Sequence, residues 1–170
     1  MGRFDDKVAI VTGAGGGIGR AAAVRFATEG ASVVAVDLDD ALLEETVTAV
    51  VSAGGTAHGV TADVTSGEQV AGYVQAATDM FGGIDVLFNN AGIEGAMAPL
   101  DRYPEDVFDQ VLAVNVKGVW LGMRHVAEPM RVRGGGVIVN TSSVAGLGGT
   151  PALIAYGACK HAVLGMTKTA

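Results

Sequence analysis

Apolar residues in this chain fall into short, nearly unbroken runs separated by longer stretches with helical spacing. The runs are Val8 to Val11, Ser32 to Val36, Thr56 to Thr61, Ile84 to Phe88 and Gly136 to Asn140. Segments of this kind suit parallel strands buried on both faces, and the stretches between them have helix length and periodicity. Gly30, Gly54-Gly55 and Gly82-Gly83 stand where three of the helices should stop. Asp40 is placed to cap a helix ending near Ser52, and Ser66 with Gln69 makes a capping-box pattern for a helix reaching Met80. Pro104, backed by Glu105 and Asp106, opens a long helix expected to end near Glu128, before Pro129.

Strict alternation of strand and helix predicts one α/β domain built on a doubly wound parallel sheet, the Rossmann fold, with right-handed crossovers. In that strand order the loops after strands one and four face each other across a crevice. The loop after strand one is Thr12-Gly13-Ala14-Gly15-Gly16-Gly17-Ile18-Gly19. Its glycines allow close backbone approach, and the helix behind them offers unpaired N–H groups and a positive dipole end, a site for a pyrophosphate. The phosphate loop of NTPases needs lysine after its last glycine, whereas Gly19 is followed by Arg20. Asp37, at the end of the second strand, is placed to accept both ribose hydroxyls and to repel a 2′-phosphate. With Leu38 rather than a cation beside it, NAD is expected in preference to NADP.

Composition narrows the class further. Of 170 residues, 49% are apolar and 17% charged, enough for a packed core and too apolar for disorder. A net charge of -7 without a basic cluster argues against a nucleic-acid partner. No apolar run is long enough to cross a bilayer, and the charged start Arg3-Asp5-Asp6-Lys7 leaves no room for a secretory segment, so a cytoplasmic protein is expected. Cys159 is the single cysteine, and His58, His125 and His161 lack metal-ligand spacing, so no metal site is expected.

Tyr156 and Lys160 are four residues apart on an expected helix and share one of its faces. A free phenol keeps its proton near neutrality, but an ammonium roughly 5 Å away at an effective dielectric of about 20 favours tyrosinate by ~3 kcal/mol. This pair alone is common. It occurs here in company: the T-G-x-x-x-G-x-G turn, Asn89-Asn90-Ala91-Gly92, Asn115 inside the long helix, and Ser142-Ser143 after strand five. In this order and at these separations the set resembles the short-chain dehydrogenase/reductase family over nearly the whole chain.

The resemblance implies an oxidoreductase that moves a hydride between a secondary alcohol or ketone and a nicotinamide cofactor. Tyr156 would exchange the proton with the substrate oxygen, Lys160 would tune Tyr156 and contact the nicotinamide ribose, Ser143 would orient the substrate, and Asn115 would hold a relay water. The cofactor would lie along Gly13, Gly15, Gly17, Ile18, Gly19, Asp37, Asp63, Val64, Asn89, Ala91 and Gly92, with Tyr156 and Lys160 at its reactive end. The long helix from Val107 to Val126 is apolar over more than one face, which predicts coverage by a second subunit and hence a homo-oligomer, a dimer or tetramer. Only five strands are legible, so the fold is expected to lack the family's last strands and the apolar edge of strand five to need cover. A nucleotide-binding fragment or assembly partner without turnover is the second reading. Ile93, Met97, Leu147 and Leu153 suggest a compact, weakly polar substrate, with Glu94 the exception.

Overall fold

The computed structural model describes residues 2–170. Five strands, β1 (Val8–Thr12), β2 (Ser32–Asp37), β3 (Thr56–Thr61), β4 (Val86–Asn89) and β5 (Val137–Asn140), form one parallel sheet in the order β3-β2-β1-β4-β5. The register sets Val11 of β1 between Ala35 and Phe88, so the carboxyl ends of β1, β2 and β4 come out along one edge. Six α-helices accompany it: α1 (Gly17–Thr28), α2 (Asp40–Ser52), α3 (Gly67–Phe81), α4 (Glu105–Leu112), α5 (Val119–Arg133) and α6 (Ile154–Thr169).

The period of two along the strands divides the core into two layers. Val8, Ile10, Val34, Val36 and Leu87 point toward α3 and α5, where they meet Val70, Tyr73, Leu121 and Val126. Ala9, Val11, Val33 and Ala35 point the other way, onto Ala23, Ala27, Leu43 and Val50 of α1 and α2. All five residues of β1 are buried, as a central strand requires. Small residues on its α1 side let that helix approach the sheet closely, which brings the glycine turn over the strand end.

Four details differ from the sequence expectation. The cap of α2 is Asp39, whose carboxylate accepts the Leu42 N–H at 3.0 Å, while Asp40 accepts a hydrogen bond from the Thr61 hydroxyl at 2.6 Å. The capping box at α3 is half-formed: Ser66 Oγ accepts the Gln69 N–H, but Gln69 Oε1 takes the Asp63 N–H (2.7 Å), which ties the turn after β3 to the helix. Pro129 does not stop the long helix. It lies inside α5, which runs on to Arg133 and closes at Gly134 (φ 100°). A proline inside a helix costs about 3 kcal/mol or more, offset here by Met130 in the core and by Arg133, which bonds to Asp85, Gly82 O and Asp6 O. Finally, the long helix is interrupted by a π-helical stretch, Ala113–Gly118, that contains Asn115.

β5 is the outermost strand with its edge open as expected, and Val137 (57%) and Val139 (45%) are exposed on one of its faces. No helix among the described residues is long and apolar enough to cross a membrane.

Candidate active site

The crevice at the carboxyl edge is assembled by hydrogen bonds between the loops after β1 and β4. Thr12 Oγ1 accepts the N–H groups of Asn90 (3.0 Å) and Ala91 (3.1 Å), and the Asn90 amide donates to Thr12 O (3.1 Å) and Gly13 O (3.3 Å). Thr12 and Asn90 were not among the expected site residues. Their signal lay in the Thr-Gly and Asn-Asn pairs themselves, but which side chain bridges the loops depends on strand register.

Two glycines are required by this proximity. Gly13 has φ 64° and a Cβ there would sit 2.9 Å from Ala91 Cα, while a Cβ on Gly19 would collide with Gly13 O. The ladder of α1 begins with the bond from Arg20 N–H to Gly16 O (3.2 Å), so the N–H groups of Gly17, Ile18 and Gly19 precede it and suit an anion. Ile18 is exposed beside them.

From this turn a cleft of about 230 Å³ extends across the sheet edge. Gly13, Asp37, Asp63, Val64, Ala91 and Gly92 line it, so six of the expected cofactor residues share one cavity. Asp37 Oδ2 accepts the Gly15 N–H (2.7 Å) and its Oδ1 accepts the Asp39 N–H (3.1 Å), which hold the carboxylate at the mouth. Asp63 Oδ1 accepts the Thr65 N–H (2.8 Å). Asn89 is placed differently. It is buried, and its amide donates to Val119 O (3.2 Å) and Asn140 Oδ1 (2.9 Å), making it a strut between β4, β5 and α5. Gln110 and Val114 join the lining from the long helix, with no signal in the sequence that could have placed them there.

At the other end of the crevice Asn115 and Lys160 meet at Gly92. A Cβ built on that glycine would lie 3.0 Å from Asn115 Oδ1 and 3.7 Å from Lys160 Nζ. Both ends of the Asn115 carboxamide are held by one residue, accepting the Ile93 N–H (2.8 Å) and donating to Ile93 O (2.7 Å). Asn115 lies in the π-helical stretch and is buried. π-bulges inside helices recur at functional sites. Lys160 is only 4% exposed, donates to Thr141 O (2.8 Å), and places Nζ 5.4 Å from the centroid of the Tyr156 ring. Burial pushes the Lys160 ammonium below the ordinary lysine range, with Cys159 acting the other way. Ser142 Oγ donates to Lys160 O (2.9 Å), and Ser143 Oγ accepts the Ala145 N–H (3.2 Å) at the start of a short turn packed against α6. Tyr156 and Ser143 are both half-buried.

Cys159 is buried beside Val111, and burial pushes its thiol up, so it packs α6 against α4 as a neutral group. Among the described residues no three His, Cys, Asp or Glu side chains cluster as metal ligands would.

Residues 7–170 match the family model described as short chain dehydrogenase. The chain is 45% identical over 168 residues to levodione reductase of Leifsonia aquatica and 42% identical over 168 residues to 3beta-hydroxysteroid dehydrogenase of Mediterraneibacter gnavus. These alignments cover 98% and 99% of this chain but 63% and 60% of the relatives' own lengths. Among solved structures, NAD+-bound xylitol dehydrogenase superposes with a TM-score of 0.96 at 44% identity, over 98% of this chain and 64% of that one. With the family's motifs in sequence order, its sheet order and its model matched from Lys7 onward, the chain belongs to the short-chain dehydrogenase family.

Proposed function

We propose that the protein is an NAD-dependent oxidoreductase acting on a secondary alcohol or ketone. The observation that carries this reading is the placement of Lys160. Its buried Nζ sits beneath the Tyr156 ring and beside Gly92, at one end of a crevice whose other end presents the Asp37 carboxylate. One Lys160 proton is held by Thr141 O, leaving donors for a ribose hydroxyl. The crevice fits a dinucleotide: it excludes a Cβ where backbone must approach, offers turn N–H groups to a pyrophosphate, and places a carboxylate for a ribose diol. A nicotinamide bound there would accept the hydride from the alcohol carbon.

The protein's own residues handle the proton and the oxygen. Tyr156 would take the hydroxyl proton as an alcohol becomes a carbonyl and would return it when a ketone is reduced. The Lys160 ammonium stabilises negative charge on the phenol oxygen, and Ser143 directs a hydrogen bond to the substrate oxygen as its charge changes. Asn115 fixes the Ile93 backbone at the substrate side and stands next to Lys160, where a relay water would lie. Asp37, with the exposed Leu38 rather than a cation after it, supports NAD over NADP, because a 2′-phosphate would meet an unscreened carboxylate.

The decisive measurement is NADH formation with a panel of secondary alcohols, repeated with Tyr156→Phe. Turnover by the wild type that disappears in the variant while NADH binding persists is expected; equal turnover in both would overturn the role of Tyr156. A second reading, an NAD-binding piece without turnover, draws on the exposed β5 edge and on the share of the relatives' length that the chain spans. Binding of NADH with no turnover across the panel would favour it.

We further propose a homo-oligomer through the face of α4, the π-helical stretch and α5. Leu112, Ala113, Val116, Trp120 and Met166 line an apolar groove of about 540 Å³ on that face, and Trp120 is 47% exposed. Light scattering of the wild type and of Trp120→Glu should show a dimer or tetramer and its dissociation; a monomeric wild type would end this reading.

A further inference from the structure

Behind the glycine turn, on the side away from the crevice, lies a hydrogen-bonded assembly that no step above uses. Thr46 on α2 is fully buried; its hydroxyl donates to Ala14 O (2.8 Å) and accepts from Arg20 Nε (2.9 Å). Leu42 O lies 3.1 Å from the same hydroxyl, but one proton serves one acceptor at a time and Ala14 O is nearer. Arg20 Nη2 donates to Gly15 O and to Leu42 O (3.1 Å), and Glu45 pairs with the same guanidinium at 2.9 Å. Two side chains from two helices therefore hold two successive carbonyls of the turn.

A trans peptide is planar, with its C=O and N–H pointing in opposite directions. Anchoring Ala14 O on Thr46 therefore sends the N–H of Gly15 the other way, where it meets the Asp37 carboxylate at 2.7 Å. Anchoring Gly15 O on Arg20 does the same for the N–H of Gly16. Gly15 O bonds to Arg20, and the ladder of α1 begins one residue later at Gly16 O, which leaves the Gly19 N–H free to donate to an anion. One guanidinium and one hydroxyl thus orient both the phosphate-binding amides and the ribose-binding carboxylate.

We propose that Arg20 and Thr46 are positioning residues that preset the glycine turn for a dinucleotide pyrophosphate and aim Asp37 at the adjoining ribose. This inference rests on the cofactor reading above. Neither residue lines the cleft. The fork geometry of arginine is needed, because a lysine ammonium in its place cannot span three acceptors in fixed directions.

The test is a fluorescence titration of the 170-residue chain with NADH and NADPH, using wild type, Thr46→Val, Thr46→Ser and Arg20→Lys. Thr46→Val should raise the Kd for NADH about tenfold, the size of one well-placed hydrogen bond, and Thr46→Ser should restore it to within about twofold. The ratio of the NADPH to the NADH Kd should fall in Thr46→Val and Arg20→Lys, because Asp37 loses its fixed direction; loss of packing alone would not move that ratio. Unchanged Kd values and an unchanged ratio in folded variants would overturn the proposal. Should Thr46→Val fail to fold, Arg20→Lys decides by the same criteria, since its side chain is 31% exposed. A folded wild type that binds no NADH would end the cofactor reading itself, whereas wild-type binding with unaltered variants removes only the positioning pair.

Discussion

On the proposed function, single side chains carry the chemistry, and their substitution should separate binding from turnover. Lys160→Met removes the ammonium beneath Tyr156 and the proposed donor to the ribose, so both NAD affinity and rate should drop, with the rate falling by ~10²-fold or more in steady-state assays. Asp37→Asn should weaken NADH binding and narrow the margin over NADPH, since like charges placed together cost up to several kcal/mol; titration with both cofactors reads this directly. The identities of these residues were legible in the sequence because each belongs to a short spacing pattern. Their partners were not. That Asn115 holds Ile93, that Asn89 braces β5 and α5, and that Thr46 reaches Ala14 over 32 positions are consequences of packing, which spacing does not encode.

Elements position these groups through their ends and interruptions. In the glycine turn between β1 and α1, Gly13 and Gly19 are pressed against backbone, whereas Gly16 is not. Gly19→Ala should therefore abolish NADH binding or folding, whereas Gly16→Ala, with open space at its Cβ, should leave both nearly intact; calorimetry on the two variants checks the contrast. At α2, Asp39→Ala removes the N-cap and should cost about 1 kcal/mol in urea denaturation, while the same change at Asp40 should cost less. The sequence placed this helix correctly but put its cap one residue late, because consecutive aspartates offer the same side chain to either position. Pro129 misled for a related reason: the local penalty is real, yet distant contacts of Met130 and Arg133 outweigh it.

At the scale of the whole molecule, the amino end of the sheet is latched by Asp85. This buried carboxylate accepts the Val8 N–H (2.9 Å) and pairs with Arg133 (3.1 Å) and Lys7 (3.2 Å), joining β1, the start of β4 and the end of α5. Burial pushes its pKa up, but the Val8 N–H, Arg133 and Lys7 together hold it below the ordinary carboxylate range. A folded pKa below the unfolded one means that the unfolded chain binds the proton more readily. The latch therefore contributes fully above the unfolded carboxylate pKa of about 4 and loses its contribution as the pH falls through the lower folded value. Glu29, drawn down to about 2 chiefly by Arg3, titrates nearby, so the comparison of wild type with Asp85→Asn isolates the latch. Melting temperatures should differ fully above about pH 4 and draw together as the pH falls below it toward the lower folded value; parallel curves would remove Asp85 as the cause. The opposite concern is the β5 edge, where Val137 and Val139 face solvent. Val139→Lys should reduce aggregation on heating, measured by turbidity, because a charge on an open edge discourages strand addition.

Taken alone, the sequence determined the alternation of strands and helices, the glycine-rich turn, the acidic end of β2 and the tyrosine-lysine spacing, since all of these are local or periodic properties of the chain. Tertiary structure decided which loops bond to each other, where the long helix bulges, and which carbonyls of the turn are held from behind. Those outcomes depend on strand register and on how closely α1 and α2 approach the sheet, which are set by side chains far apart in the chain meeting in one core.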